Sequence, residues 1–246
     1  MFSTAPLWHT LFEFLAFFIG FQFYQRLRKT QQDAISTDHR WVLIASAIIG
    51  ALVGSRLLGA LENPGLFFTG GGSVGWWYYY QSKTILGGLL GGTWAVEITK
   101  RVLGLRARSG DLFVFPILLG MWIGRIGCFL MGTLEPTYGT VTEGWWGMDL
   151  GDGQLRHPTA LYEMIWLSLT FGGLWVLRNR GRYPSGGLYF LFMVGYLMYR
   201  FGVGFIQPYP EVWYGLSTLQ IAAVVGLIYY LLFDGLLLRW LWQKTS

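Results

Sequence analysis

The chain has 246 residues, of which 53% are hydrophobic and only 13% are charged, and its mean hydropathy is +0.43. Soluble domains carry about 25% charged residues, so this composition excludes an ordinary soluble enzyme and indicates an all-α, polytopic membrane protein. The net charge of +5 comes from residues that flank apolar segments, so we expect a membrane partner and no nucleic-acid partner.

Seven apolar segments approach the ~20 residues that a helix needs to cross a bilayer. In chain order they cover residues 6–27, 41–61, 84–103, 111–132, 159–177, 187–206 and 214–238. No internal repeat and no separate soluble region interrupts them. We therefore predict a single domain over residues 1–246 with about seven transmembrane helices.

Basic residues are concentrated in alternate connections between these segments. The loops after the first, third and fifth segments, together with the C-terminal tail, hold 13 of the 18 lysine and arginine residues. Because basic loops stay in the cytoplasm, this distribution predicts an external N-terminus and a cytoplasmic C-terminus. On the external side, the run Trp76–Tyr80 fits either an interfacial aromatic belt or a short in-plane arm, and residues 133–158 form a long loop.

Arginines inside the predicted spans need a partner, because a charge at the centre of a bilayer costs on the order of 3 kcal/mol. Arg125, in "GMWIGRIGCFLMG", fits either bidentate binding of a phosphate or an ion pair with Glu163 or Glu13. Arg200 and Arg56 either extend to the headgroups or join Arg125 at one anionic group. A lipid phosphate is the candidate for that group.

The stretch "RHPTALYE" at residues 156–163 is the second polar feature. Pro158 suits the start of a helix, where its missing N–H is not needed. Tyr162 and Glu163 then lie just inside the fifth span, so the carboxyl group of Glu163 must be paired, protonated or used as a base. His157 fits equally a polar capping residue and a catalytic group.

Five motifs together resemble the prolipoprotein diacylglyceryl transferase family. They are "VGSRLLGALEN", "KTILGGLLGG", "GRIGCFLMG", "RHPTALYE" and "YRFGVGFIQP", in the family's order and spacing. The resemblance implies a seven-helix enzyme of the bacterial cytoplasmic (inner) membrane. Such an enzyme moves the diacylglyceryl group of phosphatidylglycerol to the lipobox cysteine thiol in the signal-peptide region of a prolipoprotein.

The resemblance also implies roles for single residues. Arg200, His157 and Glu163 match catalytic positions, with Glu163 as the base or as the partner that orients an arginine, and His157 as the secondary candidate. The positions that match substrate-binding residues are Arg56, Gly87, Gly88, Gly124, Arg125, Gly127, Tyr162 and Gln220. The "GGLLGG" run fits close helix packing as well.

Several positions depart from the family pattern. Leu86 stands where better-known members have a histidine, Cys128 replaces an asparagine, and Ala160 replaces a glutamine. Gly204 and Gln207 stand where an acidic residue and a second arginine are usual. The chain therefore represents a divergent branch, and two alternatives stay open: a non-catalytic phospholipid-binding or transporting protein, and a transferase with a different acceptor.

Cysteine and histidine usage bounds the other possible sites. Cys128 is the single cysteine, which excludes an intrachain disulfide, and we expect it to pack among apolar neighbours. The three histidines, His9, His39 and His157, have no metal-ligand spacing, so we predict no metal site and no cofactor. The first apolar run contains Glu13 and lacks a basic start, so we expect no cleavable signal peptide.

The orientation can be tested with reporter fusions. We predict that reporters placed at residues 34, 107 and 181 are active in the cytoplasm, because their loops are basic. Reporters at residues 72 and 145 should be active outside. A cytoplasmic signal from residue 145 would overturn the assignment.

Overall fold

The computed structural model describes residues 5–30, 35–65, 71–181 and 183–233, and most of them are helical. The main helices are α1 (Ala5–Thr30), α2 (Thr37–Ala60), α3 (Gly71–Gln81), α4 (Ile85–Val102), α5 (Asp111–Met131), α6 (Thr159–Arg180), α7 (Gly187–Val203) and α8 (Thr218–Ile228). Short 3-10 turns, Gly132–Leu134 and Gly204–Ile206, extend α5 and α7, and a π-helical segment, Tyr229–Phe233, follows α8.

The helices confirm the predicted class of a helical membrane protein. The segments that are long and apolar enough to cross a membrane are Thr37–Ala60, Asp111–Leu134, Thr159–Arg180 and Gly187–Ile206. Helices α1, α4 and α8 lie where the other three spans were predicted. The number of helices that cross the membrane and the orientation of the chain stay predictions. The end of the seventh predicted span, residues 234–238, lies outside the described residues.

The connections predicted to be external contain more regular structure than the sequence indicated. Helix α3 covers the aromatic run, and its Trp76 and Trp77 are exposed. In the long loop after α5, strand β1 (Met148–Asp149) pairs antiparallel with β2 (Leu155–Arg156). These strands are two residues long, so alternation of polar and apolar residues cannot reveal them in the sequence.

The last helix begins at Thr218 and not at residue 214, as was predicted, because a second hairpin occupies the preceding residues. Strand β3 (Glu211–Trp213) pairs with β4 (Leu216–Ser217) across a turn in which Gly215 has a φ of 73°. Gln220 then closes a capping box with Ser217: the Ser217 Oγ accepts from the Gln220 backbone N–H (3.3 Å), and the Gln220 Oε1 accepts from the Ser217 N–H (2.9 Å). This box satisfies donors that a helix start leaves free.

Glycines let the backbones of α2 and α4 touch. Gly50 and Gly54 on α2 face Gly87 and Gly91 on α4. A Cβ added to Gly54 would lie 2.9 Å from the Cα of Gly91 and closer still to the carbonyl oxygen of Gly87. Small residues serve this purpose in membranes, where van der Waals packing replaces the hydrophobic effect between helices. In "GGLLGG" the glycines at 87 and 91 therefore serve helix packing.

Asp111 joins the beginnings of α5 and α7. Its carboxylate accepts from the backbone N–H groups of Gly186 (2.7 Å) and Tyr189 (2.9 Å), which α7 would otherwise leave unpaired. At a rise of about 1.5 Å per residue, Arg125 and Arg200 both lie about 20 Å along their helices from this anchor. The anchor thus brings the two arginines to the same depth.

We predict that Gly54→Ala destabilises the protein, because the added methyl group would push α2 away from α4. The matched control is Gly173→Ala on α6, where an added Cβ meets nothing within 4 Å and alanine favours a helix by about 1 kcal/mol over glycine. Thermal unfolding of the purified proteins in detergent should give a lower Tm for Gly54→Ala and an unchanged or higher Tm for Gly173→Ala. Equal Tm values would contradict the tight contact.

Candidate active site

Glu163 on α6 joins three helices inside the apolar bundle. Its Oε2 lies 2.7 Å from a terminal guanidinium nitrogen of Arg125 on α5 and 3.5 Å from one of Arg200 on α7. Its Oε1 accepts a hydrogen bond from the hydroxyl group of Tyr196 at 3.0 Å. Glu163 is 2% exposed and each arginine is 6% exposed. The three charges therefore form a cluster shielded from solvent.

The cluster of Arg125, Arg200 and Glu163 carries one net positive charge, because two guanidinium groups share one carboxylate. The Nε atoms of both arginines are buried, and neither has an acceptor in the part of the chain that the structure describes. A buried charge without full pairing is costly, and inside a membrane it marks a functional site. The cluster is therefore suited to one further anion.

The two partners considered for Arg125 have different positions. Glu163 pairs with it, whereas Glu13 lies 3.4 Å from the ammonium group of Lys83. The ion pair with Glu163 does not exclude phosphate binding, because the second arginine leaves the positive charge in excess. Both interpretations of Arg125 are thus compatible with the same geometry.

Two tyrosines on α7 line the cluster, and the sequence analysis missed both. The ring of Tyr199 stacks between those of Tyr196 and Trp166, with centroid distances of 6.3 Å and 5.6 Å. Tyr196 precedes Arg200 by one helical turn, a spacing that places the two on one face and that the sequence displays. The spacing alone does not indicate that this face turns toward Glu163.

His157 and Tyr162 form a hydrogen-bonded pair at the start of α6. The Nδ1 of His157 lies 3.1 Å from the hydroxyl oxygen of Tyr162. Pro158 is the residue before the first turn of α6, as the sequence predicted. Tyr162 immediately precedes Glu163, and His157 lies about one and a half turns before it, so the pair flanks the end of α6 that carries Glu163.

Two other predicted substrate-binding residues have structural partners. The guanidinium group of Arg56 lies 5.1 Å from the ring centroid of Tyr80 and donates to the carbonyl oxygen of Ser82 at 3.4 Å. Gln220 is used in the capping box, and its Nε2 donates to the carbonyl oxygen of Phe201 at 3.2 Å. Of the three arginines expected to converge, Arg125 and Arg200 meet at the carboxylate of Glu163, and Arg56 has other partners. The amide of Gln220 caps the start of α8.

The glycines predicted to lie at the substrate have different surroundings. Gly87 packs α4 against α2, and Gly127 leaves room for His9, whose Cδ2 would lie 2.9 Å from an added Cβ. Gly88 would meet its nearest neighbour at 3.7 Å, and Gly124 would meet nothing within 4 Å. Gly88 and Gly124 are thus the members of this group with free space beside them.

A polar neighbour of Arg125 was also missed. The guanidinium group of Arg125 donates to the Sγ of Cys128 at 3.6 Å, and this sulfur lies 3.9 Å from the Nε2 of His9 on α1. Cys128, which was expected to serve packing, therefore also has two polar partners. His9 is 119 residues away in the sequence, so no local spacing could have identified it.

Comparison with known proteins agrees with the motifs. The sequence profile of the prolipoprotein diacylglyceryl transferase family matches residues 3–238. The chain belongs to this family.

Three relatives are named phosphatidylglycerol–prolipoprotein diacylglyceryl transferase. The one from Nitratidesulfovibrio vulgaris (strain Hildenborough) is 30% identical over 195 residues, which cover 75% of this chain and 72% of the relative. The one from Wolbachia sp. subsp. Brugia malayi is 30% identical, covering 94% and 93%, and the one from Cupriavidus metallidurans is 29% identical, covering 89% and 82%.

Membership in the family gives Leu86 particular interest. Leu86 occupies the position at which the motif comparison expects a histidine, and its side chain is 0% exposed within the apolar core. An imidazole at this position would be surrounded by apolar side chains. Any proton transfer by this family member therefore involves another group.

Glu62 follows the end of α2 and interacts electrostatically with Arg200 of the cluster. Burial raises the pKa of its carboxyl group from 4.5 to about 7, and the positive charge of Arg200 offsets part of the rise. The pKa of Glu62 is thus higher in the folded protein than in the unfolded chain. Its contribution to the stability of the folded state is therefore complete below about pH 4.5 and is lost as the pH rises through about 7.

We predict that this carboxyl group makes the stability of the protein fall between about pH 5 and about pH 8. Glu62→Gln keeps the shape of the neutral acid and should flatten the dependence of Tm on pH in detergent. Glu143→Gln, at an exposed position of the long loop, serves as the control and should leave the wild-type profile unchanged. Identical profiles for wild type and Glu62→Gln would contradict the raised pKa.

Proposed function

We propose that this chain transfers the diacylglyceryl group of phosphatidylglycerol to the lipobox cysteine thiol of prolipoproteins. The family assignment over nearly the whole chain supports this activity, as do relatives whose names state it. The structural observation that carries the proposal is the buried pair of arginines that share one carboxylate.

The substrate's charge matches what the cluster lacks. The phosphodiester of phosphatidylglycerol has one negative charge, and Arg125, Arg200 and Glu163 together have one positive charge. Guanidinium groups bind phosphate oxygens with two parallel hydrogen bonds, and the unpartnered Nε–H groups supply further donors. The apolar helices around the cluster suit the acyl chains of the same lipid.

The reaction transfers the diacylglyceryl group, through its C3 carbon, from a phosphate-ester oxygen to a sulfur. The sulfur of the acceptor cysteine forms a bond to C3 of the diacylglyceryl group while the bond from that carbon to the phosphate-ester oxygen breaks. Glycerol phosphate leaves with the electron pair, and the thiol proton passes to a base or to water. Negative charge therefore grows on the departing phosphate, where preorganised arginines stabilise the transition state.

Glu163 orients the two arginines in this proposal. Both of its oxygens already contact donors, from two guanidinium groups and from Tyr196, which leaves little access for a proton. Of the two roles considered for Glu163, the positioning role thus has the stronger support. His157, paired with Tyr162, is the secondary candidate base, beside Glu135. A thiol of pKa about 8.5 is also a few per cent ionised at neutral pH without a base.

The proposal includes the placement of the enzyme. We propose one domain with seven membrane crossings, an external N-terminus and a cytoplasmic C-terminus in the bacterial cytoplasmic membrane. Four long apolar segments and the bacterial origin of the relatives support a multi-pass membrane protein. The distribution of basic residues supports the orientation, which puts the arginine cluster near the external leaflet.

The buried position of Leu86 favours one alternative function, a lipid-binding protein that kept the arginines and lost the chemistry. The two functions differ in a single observable. The transferase covalently modifies a peptide thiol, whereas the binding protein retains phosphatidylglycerol and leaves the thiol free. The assay below distinguishes them.

We predict that Arg125→Lys and Arg200→Lys each reduce transfer by about 100-fold, because lysine keeps the charge and loses the planar fork. The purified enzyme is incubated with phosphatidylglycerol and a synthetic lipobox peptide, and mass spectrometry measures the peptide that gains a diacylglyceryl group. The matched control is Arg156→Lys, since Arg156 also pairs with a carboxylate, Asp152 at 2.7 Å, but lies in the external loop.

The control variant should keep nearly wild-type transfer. Near-normal transfer by Arg125→Lys at matched protein levels would rule out bidentate phosphate binding by that residue. A wild-type protein that binds phosphatidylglycerol and never modifies the peptide would establish the alternative function.

A further inference from the structure

Three metal-binding side chains from separate parts of the chain meet beside Arg125. They are His9 on α1, Cys128 on α5 and Glu135 after the 3-10 turn, and their ligand atoms all lie within 4.8 Å of one another. We propose that these three side chains, here named the thiol–imidazole site, bind one thiophilic divalent cation, with Zn²⁺ as the physiological candidate. The sequence analysis predicted no metal site because the three ligands are not close in the sequence.

The distances agree with a four-coordinate zinc site. Zinc binds sulfur at about 2.3 Å and nitrogen or oxygen at about 2.0–2.1 Å, so neighbouring ligand atoms in a tetrahedron are about 3.3–3.6 Å apart. The Nε2 of His9 lies 3.9 Å from the Sγ of Cys128 and 3.6 Å from the Oε2 of Glu135. The two distances at His9 therefore need to shorten by only a few tenths of an ångström, and the separation of the cysteine sulfur from Glu135, at most 4.8 Å, by about 1.2 Å or less.

Glu135 supplies an independent indication of a missing partner. Its Oε2 is buried, although the side chain as a whole is 33% exposed, and no hydrogen-bond donor contacts this atom within the described ranges of the chain. The same oxygen faces the imidazole of His9. A buried carboxylate oxygen without a donor is costly, and a bound cation would satisfy it.

The backbone provides the space for this arrangement. Gly127 has no side chain, which allows α1 to bring His9 against α5, and an added Cβ would lie 3.2 Å from the Cα of His9. Gly132 ends α5 with a φ of 56°, in the left-handed region that glycine adopts readily. The chain then turns back, so that Glu135 lies near Cys128. A bound ion would link α1, α5 and this turn.

The charges around the site permit a cation. The guanidinium group of Arg125 donates to the cysteine sulfur at 3.6 Å, and a metal that binds this sulfur releases the thiol proton. The charge of Arg125 itself is paired with Glu163 at 2.7 Å. Glu13 lies 3.9 Å from the imidazole of His9 and adds negative charge, opposed by Lys83 at 3.4 Å. With a metal bound, the thiolate, Glu135 and Glu13 supply three negative charges, against Lys83 and the one excess positive charge of the arginine cluster.

The ligand set determines the kind of ion. A thiolate, an imidazole and one carboxylate select zinc and similar borderline or soft metals, whereas Mg²⁺ and Ca²⁺ prefer sets made of oxygen atoms. Three protein ligands leave the fourth position for water or Glu13. Binding at this site can be measured without lipid transfer, so it stands or falls independently of the proposed function.

The test uses Co²⁺ as a spectroscopic probe in the purified, tag-free, full-length protein in detergent. We expect one equivalent of Co²⁺ to give a sulfur-to-cobalt charge-transfer band and the visible bands of four-coordinate cobalt. Zn²⁺ should abolish both, and Mg²⁺ should not. Cys128→Ser should lose the charge-transfer band. His9→Gln and Glu135→Gln should weaken binding about tenfold or more, since even outer partners cost a metal site about that much.

The matched controls are His39→Gln and Glu143→Gln, which remove an imidazole and a carboxylate elsewhere and should keep wild-type binding. If a variant of one of the three ligands folds poorly, a second measurement on the wild-type protein tests the same site. Because Cys128 is the single cysteine, alkylation of the wild-type protein reports on it directly, and Zn²⁺ should slow the reaction. The proposal is overturned if no charge-transfer band forms, if the band persists in Cys128→Ser, or if Zn²⁺ leaves alkylation unchanged.

Discussion

The contact of Arg125 and Arg200 with the single carboxylate of Glu163 is the interaction on which the rest of this structure depends. It joins α5, α6 and α7 in an apolar interior, where an unpaired charge is most costly. Removing one partner of such a buried pair typically costs about 3–5 kcal/mol. The contact nevertheless leaves one positive charge in excess. The same three residues therefore hold the helices together and supply the positive charge that we propose binds the phosphate of the substrate.

Helix packing makes this contact possible. Asp111 ties the beginning of α5 to that of α7, and the equal rise of both helices then puts the two arginines at one depth. Elsewhere the bundle relies on close backbone contact, as between Gly54 on α2 and Gly87 on α4. The site is thus preorganised by contacts far from it, which is the condition under which fixed charges stabilise a transition state.

The positions at which this chain departs from its family have structural consequences. Leu86 is an apolar core residue on α4, so the polar chemistry expected there is absent. Beside Arg125, Cys128 brings a thiol next to His9 and Glu135. The imidazole that contacts Cys128, and through it Arg125, therefore comes from His9 on α1.

The sequence by itself determined the helical membrane class, because apolar runs of bilayer length have no other stable outcome in lipid. It also identified Arg125 and Glu163 as sites, since a charge among apolar residues requires a partner. It named Glu163 among the possible partners of Arg125 but could not choose between them. It also could not reveal the two-residue strands or associate His9 with Cys128. Those features depend on which helix faces touch and where short turns redirect the chain. Only the tertiary structure decides them, because such contacts join residues that have no relation along the sequence.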